Sequence, residues 1–231
     1  MAAVGGLAIT GRANSSLFLI DNRTAEYRII YDNGADDPLD PTVVKDTDDA
    51  VDAIGWSGTF GEWNVDLTGV VGGSGIQLSS LSISDRGDGI DFDTSLSIYL
   101  FVNGLGPSTG LGANALFTGA TAGTAKYALF QDPGNGSSIL DFTFDPVSFA
   151  VINSAGPFGA GAFSDSRSGL IIEPSSLYSL ALAVDISHGD MDGQATSSFS
   201  YSVSVPDQGT TALLFAVGLF ALGLTGRRIR A

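Results

Sequence analysis

Residues 197–205 read Ser197-Ser198-Phe199-Ser200-Tyr201-Ser202-Val203-Ser204-Val205, large apolar side chains alternating with serine. A period of two puts Phe199, Tyr201, Val203 and Val205 on one side of an extended chain and the serines on the other. That is the pattern of a strand with one face in a core and one in water. The same period recurs upstream. Trp63, Val65 and Leu67 alternate with Glu62, Asn64 and Asp66. Leu96, Ile98, Leu100 and Val102 share one face, and Leu140, Phe142 and Phe144 another. Leu180, Leu182, Val184 and Ile186 alternate with Ala181, Ala183 and Asp185. Ile76 and Leu78 are out of phase with Leu81 and Ile83, which predicts a bulge at Ser79-Ser80. The Gly-rich stretch 103–125 reads as a long loop, and no segment before Thr210 has a helical period. Residues 16–205 are therefore expected to form one all-β domain, an antiparallel, jelly-roll-like β-sandwich without an internal boundary.

Composition narrows the function classes. The chain of 231 residues contains no Cys, which removes disulfides, thiolate zinc sites and a Cys nucleophile. A chain of this length can bury a core without such staples. Residues 1–205 carry 24 acids against 7 bases, a net charge of −17. Such a surface repels nucleic acid and anionic lipid, because both need clustered Lys and Arg. No phosphate-binding loop and no dinucleotide fingerprint is present.

The C-terminal residues 206–231 differ from everything before them. Thr210–Gly226 holds no charge, and its Leu, Phe and Val lie all round a helix rather than on one stripe. A helix over 210–226 would span about 25 Å, a little less than a bilayer's hydrocarbon core. Arg227, Arg228 and Arg230 follow at once and act as a membrane stop that keeps the C-terminus cytoplasmic. The alternatives are a core helix and a plain tail anchor. At the other end, residues 1–15 read as the remnant of a signal peptide, with Met1–Ile9 apolar and Gly11-Arg12-Ala13 as a cleavage candidate. A first strand or an unstructured end is the competing reading.

The order Val205-Pro206-Asp207, Gly209, an apolar helix and terminal arginines resembles the PEP-CTERM family of bacterial sorting tails, in its VPDSG-CTERM variant. Gln208 stands where that variant has Ser. The resemblance implies recognition by an exosortase-type membrane transpeptidase and cleavage near Pro206. The mature protein would then be released, or attached to the envelope or to an extracellular polysaccharide matrix. Asp46–Asp52, Gly55-Trp56-Ser57-Gly58, Gly61–Thr68, Ile76–Ser84 and Leu96–Gly104 also resemble an ectodomain common in that family, over roughly residues 26–105. Leu177–Ser187 and Ser197–Val205 are similar to its terminal hairpin.

Four groups of residues are candidates for chemistry. Asp85, Asp88, Asp91 and Asp93, with glycines between them, have the oxygen ligands and tight turns that calcium takes. Asp190 and Asp192, the run Asp32, Asp36, Asp37 and Asp40, and the run Asp46, Asp48, Asp49 and Asp52 are further acidic loops. None of them matches an EF-hand, and solvated acidic loops are the plain alternative. Trp56, Phe60 and Trp63 could stack on a sugar, although the alternation assigns Trp63 to the core. His188, the only histidine, sits beside Gly189 and Asp190 and reads as a surface-turn residue. A Ser-His-Asp triad would have to use it, yet no Gly-x-Ser-x-Gly elbow accompanies it. A glycosidase would need two facing carboxylates, and the only Glu residues are Glu26, Glu62 and Glu173. Arg86-Gly87-Asp88 spells a cell-adhesion tripeptide, too short to carry weight.

The expected function is an exported surface or matrix protein that is structural or adhesive and not an enzyme. A carbohydrate-binding module for extracellular polysaccharide is the alternative, and a secreted hydrolase the second. Calcium could accompany any of these.

Overall fold

The structure, a computed structural model, describes residues 14–32, 34, 36–48, 50, 52–72, 75–85, 94–105, 112–132, 150–170, 178–189 and 195–204. Every regular element among them is a β-strand. The strands are β1 (Asn14–Asp21), β2 (Tyr27–Tyr31), β3 (Val43–Val44), β4 (Ala53–Phe60), β5 (Trp63–Gly72) and β6 (Gly75–Asp85). They continue with β7 (Thr94–Leu105), β8 (Gly112–Thr121), β9 (Thr124–Asp132) and β10 (Ala150–Phe158). The last are β11 (Gly161–Leu170), β12 (Tyr178–His188) and β13 (Thr196–Ser204). One sheet has seven strands in the order β10-β9-β12-β7-β1-β2-β3, the other six in the order β11-β8-β13-β6-β5-β4. All neighbours are antiparallel except β2 and β3, which run parallel.

The connections explain why the chain makes two sheets. From β6 onward every link crosses from one sheet to the other except β9 to β10, which stays in the seven-stranded sheet. The resulting orders, β6-β13-β8-β11 in one sheet and β7-β12-β9-β10 in the other, are those of two nested Greek keys, the jelly-roll arrangement. The segment β1–β3 extends one sheet beyond β7, and β5 and β4 extend the other beyond β6. The inward sets named by the alternation, such as Leu96, Ile98, Leu100 and Val102, meet Trp63, Leu67, Tyr201 and Val203 in one continuous core. Each such buried aliphatic side chain contributes about 1.5–3 kcal/mol through the water it leaves.

Four expectations are corrected. The stretch 103–125 is not a long loop, because β8 and the start of β9 lie within it. Ala113, Ala115 and Phe117 are buried between neighbouring strands, and that burial overrides the weak strand preference of Ala and Gly. β12 and β13 do not form a terminal hairpin: β12 pairs with β7 and β9, and β13 with β6 and β8. Each has a complete apolar face, and the two faces meet across the core from opposite sheets. The bulge lies at Leu81, just past the expected pair, where β6 slips against both Asp66/Leu67 and Ser197/Phe199. Finally, the rule of one wet face holds for the six-stranded sheet only. Phe18, Ile29, Phe101 and Ala181 form a second buried cluster on the outer side of the seven-stranded sheet.

Among the described residues no helix is long and apolar enough to cross a membrane. The helix expected over 210–226, the sorting residues Val205, Pro206, Asp207 and Gly209, the arginines 227, 228 and 230, the strand face 140–144 and residues 1–13 lie outside the described residues.

Candidate functional site

Five of the described aspartates singled out in the sequence turn out to fold their own loops. Asp37 accepts the backbone N–H of Leu39 at 2.8 Å, and Asp48 that of Ala50 at 2.9 Å. Asp40 accepts both the N–H and the hydroxyl of Thr42, which holds its carboxyl below the usual carboxylate range. Asp36 reaches across to the N–H of Lys45. Asp46, buried, takes the N–H groups of Asp48 at 2.9 Å and Gly55 at 2.8 Å, and so ties the loop to β4. These are turns in which a carboxylate replaces a backbone acceptor. Among the described residues no group of three or more His, Asp or Glu side chains is arranged to hold a metal. Of the calcium candidates only Asp85 is described; it ends β6, and its N–H donates to Ala195 O at 3.0 Å. Asp88, Asp91 and Asp93, with Asp49, Asp190, Asp192, Glu173 and the Arg86-Gly87-Asp88 tripeptide, lie outside the described residues.

The aromatic trio is core. Trp56, Phe60 and Trp63 are all buried within the sandwich, so none offers a face to a sugar. Glu62 is paired with Arg23 across the β1–β2 and β4–β5 turns. Gly61 sits between them with φ +52°, and a Cβ there would lie 2.0 Å from Asp21 Oδ2, so only glycine fits.

His188 is corrected as well. It is the last residue of β12, fully buried, with its ring 5.1 Å from that of Trp63. Its Nε2 lies 2.7 Å from Ser197 Oγ, and Ser197 donates to Thr121 Oγ1 at 2.8 Å. Burial lowers the His188 pKa; the nearby Asp85 carboxylate offsets part of that. The three side chains join β12, β13 and β8 beneath the surface, and Ser197 is only 5% exposed.

A concave site built from convergent polar and aromatic groups lies elsewhere, on the outer face of the seven-stranded sheet. Its floor is made of small residues: Ala183 of β12 pairs laterally with Ala128 of β9, which pairs with Ser154 of β10. On the other side Ala183 is opposite Tyr99 of β7. Two positions along, Asp185 is flanked by Ser97 and Lys126; two positions back, Ala181 is flanked by Phe101 and Phe130. Short side chains in the middle of tall ones leave a groove of about 420 Å³, with Tyr99, Phe130, Lys126 and Asp185 as walls and Arg167 of β11 reaching its rim.

Its polar groups are held in place. Lys126 Nζ lies 3.2 Å from Asp185 Oδ2, and Ser97 donates to Asp185 Oδ1. Arg167 Nε donates to Asp165 Oδ2 at 2.9 Å, and the Tyr127 hydroxyl donates to the same oxygen at 2.6 Å. These contacts, the tyrosine hydrogen bond first, hold the Asp165 carboxyl below its usual range. Tyr99 is shifted upward by burial and by the Asp185 charge. Lys126 and Arg167 keep 59% and 50% of their side-chain surface exposed, so their remaining donors face solvent.

Nothing in the local sequence marked this groove. The alternation around 180–186 revealed that Ala181, Ala183 and Asp185 share a face, but Tyr99, Lys126 and Ser154 reach them only through pairing with β7, β9 and β10. The available signal was the outer face itself, unusually rich in Ala and aromatic residues for a wet surface.

Comparison with known proteins adds one assignment. Residues 204–229 match the family model of the VPDSG-CTERM motif, a sorting tail of the PEP-CTERM type. No curated protein matches the chain. Among solved structures, the chain is similar to the K1 cleaved adhesin domain of Lys-gingipain from Porphyromonas gingivalis W83, at 8% identity and a TM-score of 0.31, covering 67% of this chain and 99% of that one. It is also similar to TmCBM61 in complex with β-1,4-galactotriose, at 12% identity and a TM-score of 0.27, covering 64% and 92%. YcfD, a ribosomal oxygenase from Escherichia coli, follows at 12% identity and a TM-score of 0.18, covering 93% of this chain and 45% of that one. TM-scores this low do not establish a shared fold.

Proposed function

We propose that this protein is exported, delivered to the cell envelope or extracellular matrix by its C-terminal tail, and works there as a non-catalytic structural or adhesive β-sandwich. The match of residues 204–229 to the sorting motif carries the reading, because the motif implies handling by a membrane-associated processing enzyme. In this proposal the enzyme is an exosortase-type transpeptidase that cuts near Pro206, while the apolar stretch 210–226 spans the membrane and Arg227, Arg228 and Arg230 stay on the cytoplasmic side. Burial of His188 and Ser197 supports a non-catalytic role, since a nucleophile and its base must reach a substrate. The intact mass of the mature protein from its native cells and medium tests the proposal. A mass ending near Pro206, with or without an added group, is expected. A mass that keeps Arg230 and Ala231 would make the tail a plain anchor.

A second reading, a carbohydrate-binding module acting on extracellular polysaccharide, is favoured by one observation. Trp56, Phe60 and Trp63 are buried, but Tyr99 and Phe130 wall an outer-face groove beside a lysine, an arginine and a carboxylate. Retention of the protein on the polysaccharide of its own matrix, against an inert gel, tests that reading.

A further inference from the structure

We propose that the groove over Ala128 and Ala183 is a subsite for one pyranose ring of a neutral glycan. The inference rests on the carbohydrate-binding reading and specifies its site, ligand class and contacts.

A pyranose is an amphipathic disc: C–H groups on its faces, hydroxyls around its edge. The groove has the complementary layout. Its floor is two alanine methyl groups, and its taller walls include the rings of Tyr99 and Phe130. Around these stand groups of opposite hydrogen-bonding character. Lys126 and Arg167 can only donate, and the Asp185 carboxylate accepts. Asp185 already takes Ser97 and Lys126, one on each oxygen, and each oxygen keeps a second acceptor position. Neighbouring hydroxyls, each both donor and acceptor, could bridge the carboxylate and a cation. The volume, 420 Å³, lies within the range of about 300–1,000 Å³ typical of small-molecule sites.

The charge balance selects among glycans. Lys126 is offset by Asp185 and Arg167 by Asp165, so the rim has no surplus of positive charge. Residues 1–205 as a whole carry 24 acids against 7 bases, the groove's own two ion pairs included. A uronate or sulfated sugar would meet a repulsive field with no unpaired cation to receive it. The polar groups are also fixed before binding: Asp185 by two partners, Arg167 by Asp165, and Asp165 by Tyr127. Little side-chain order is then lost when the sugar arrives.

The test is isothermal titration of the full chain with neutral oligosaccharides (glucan, xylan, mannan and galactan hexamers) and with oligogalacturonate. Three variants accompany it: Ala183→Leu to fill the floor, Asp185→Asn to weaken the acceptor, and Lys126→Met at an exposed position that leaves the fold intact. At least one neutral oligosaccharide is expected to bind, with affinity reduced about tenfold or more in Ala183→Leu and measurably in Lys126→Met. Melting curves show whether each variant is folded; if Ala183→Leu is not, the other two decide. Neutral-sugar binding that no folded variant changes would overturn the groove while leaving the carbohydrate-binding reading intact. Tighter binding of oligogalacturonate than of any neutral sugar would overturn the ligand class. Binding of none of these sugars, together with no retention on the native polysaccharide, would sink both.

Discussion

His188 Nε2 and Ser197 Oγ stand 2.7 Å apart at the end of the sandwich, closed to solvent, with Ser197 passing the chain on to Thr121. The arrangement has two members of a hydrolytic triad and none of the access. Its role is to satisfy polar groups where β12, β13 and β8 converge. Ser197→Ala is expected to cost about 1–3 kcal/mol, because Thr121 and the imidazole lose a buried partner. The melting temperature reads this directly, and a fluorophosphonate probe should leave the wild type unlabelled. Labelling at Ser197 would show that the pair is reachable after all.

The same histidine gives a pH dependence. Its folded pKa lies below the ordinary 6.5 because burial disfavours the charged ring. The unfolded chain therefore binds the proton more readily, and the contribution to stability is present above about pH 6.5 and lost as pH falls through the folded pKa. Urea midpoints measured from pH 8 to pH 5 should fall, and less steeply in His188→Gln. An identical slope in the variant would assign the acid sensitivity to other groups.

Tyr127 and Tyr201 pack 4.9 Å apart, yet their hydroxyls fare differently. Tyr127 donates to Asp165 at 2.6 Å, whereas the buried Tyr201 hydroxyl has no hydrogen-bond partner among the described residues. Tyr127→Phe should destabilise by about 1–2 kcal/mol and let the Asp165 pKa rise, visible in a carboxylate NMR titration. Tyr201→Phe should be neutral or stabilising by up to about 1 kcal/mol, since it removes an unsatisfied polar group. Burial raises both phenol pKa values, so their contribution is intact below about pH 10 and is lost as pH rises beyond it. A loss of stability in Tyr201→Phe equal to that in Tyr127→Phe would contradict the difference between the two hydroxyls.

Gly119 faces the close approach of three strands. A Cβ there would lie 2.2 Å from the Ser198 carbonyl oxygen and 2.9 Å from the Phe199 Cα, both backbone atoms. Gly119→Ala should cost about 1–3 kcal/mol or more by overpacking. It should also disturb the Phe117–Phe163 stack, whose centroids are 4.8 Å apart. An unchanged chemical denaturation midpoint would show that β8 and β13 can move apart cheaply.

Asp46 is the strongest tether of the acidic loop. Asp46→Ala leaves the Gly55 and Asp48 N–H groups without their acceptor and should lower stability by about 1–3 kcal/mol. Hydrogen exchange at the Gly55 amide should accelerate with it. Asp48→Ala, whose acceptor role is in an exposed turn, should cost less.

Sequence alone determined the strand character and the inward face of β5, β7, β12 and β13, because side-chain direction in an extended chain depends only on parity. Leu96, Ile98, Leu100 and Val102, or Phe199, Tyr201 and Val203, needed no partner to declare themselves. The sorting tail was equally local, since its recognition lies in contiguous residues 204–229. Pairing was another matter. That β12 pairs with β7 and β9 rather than with β13, that His188 is closed in against Trp63, and that Tyr99, Lys126 and Asp185 surround two alanines all depend on which strands lie side by side. That choice is made by the fit of two whole apolar faces across a sandwich, a property of distant segments together that no single stretch of chain contains.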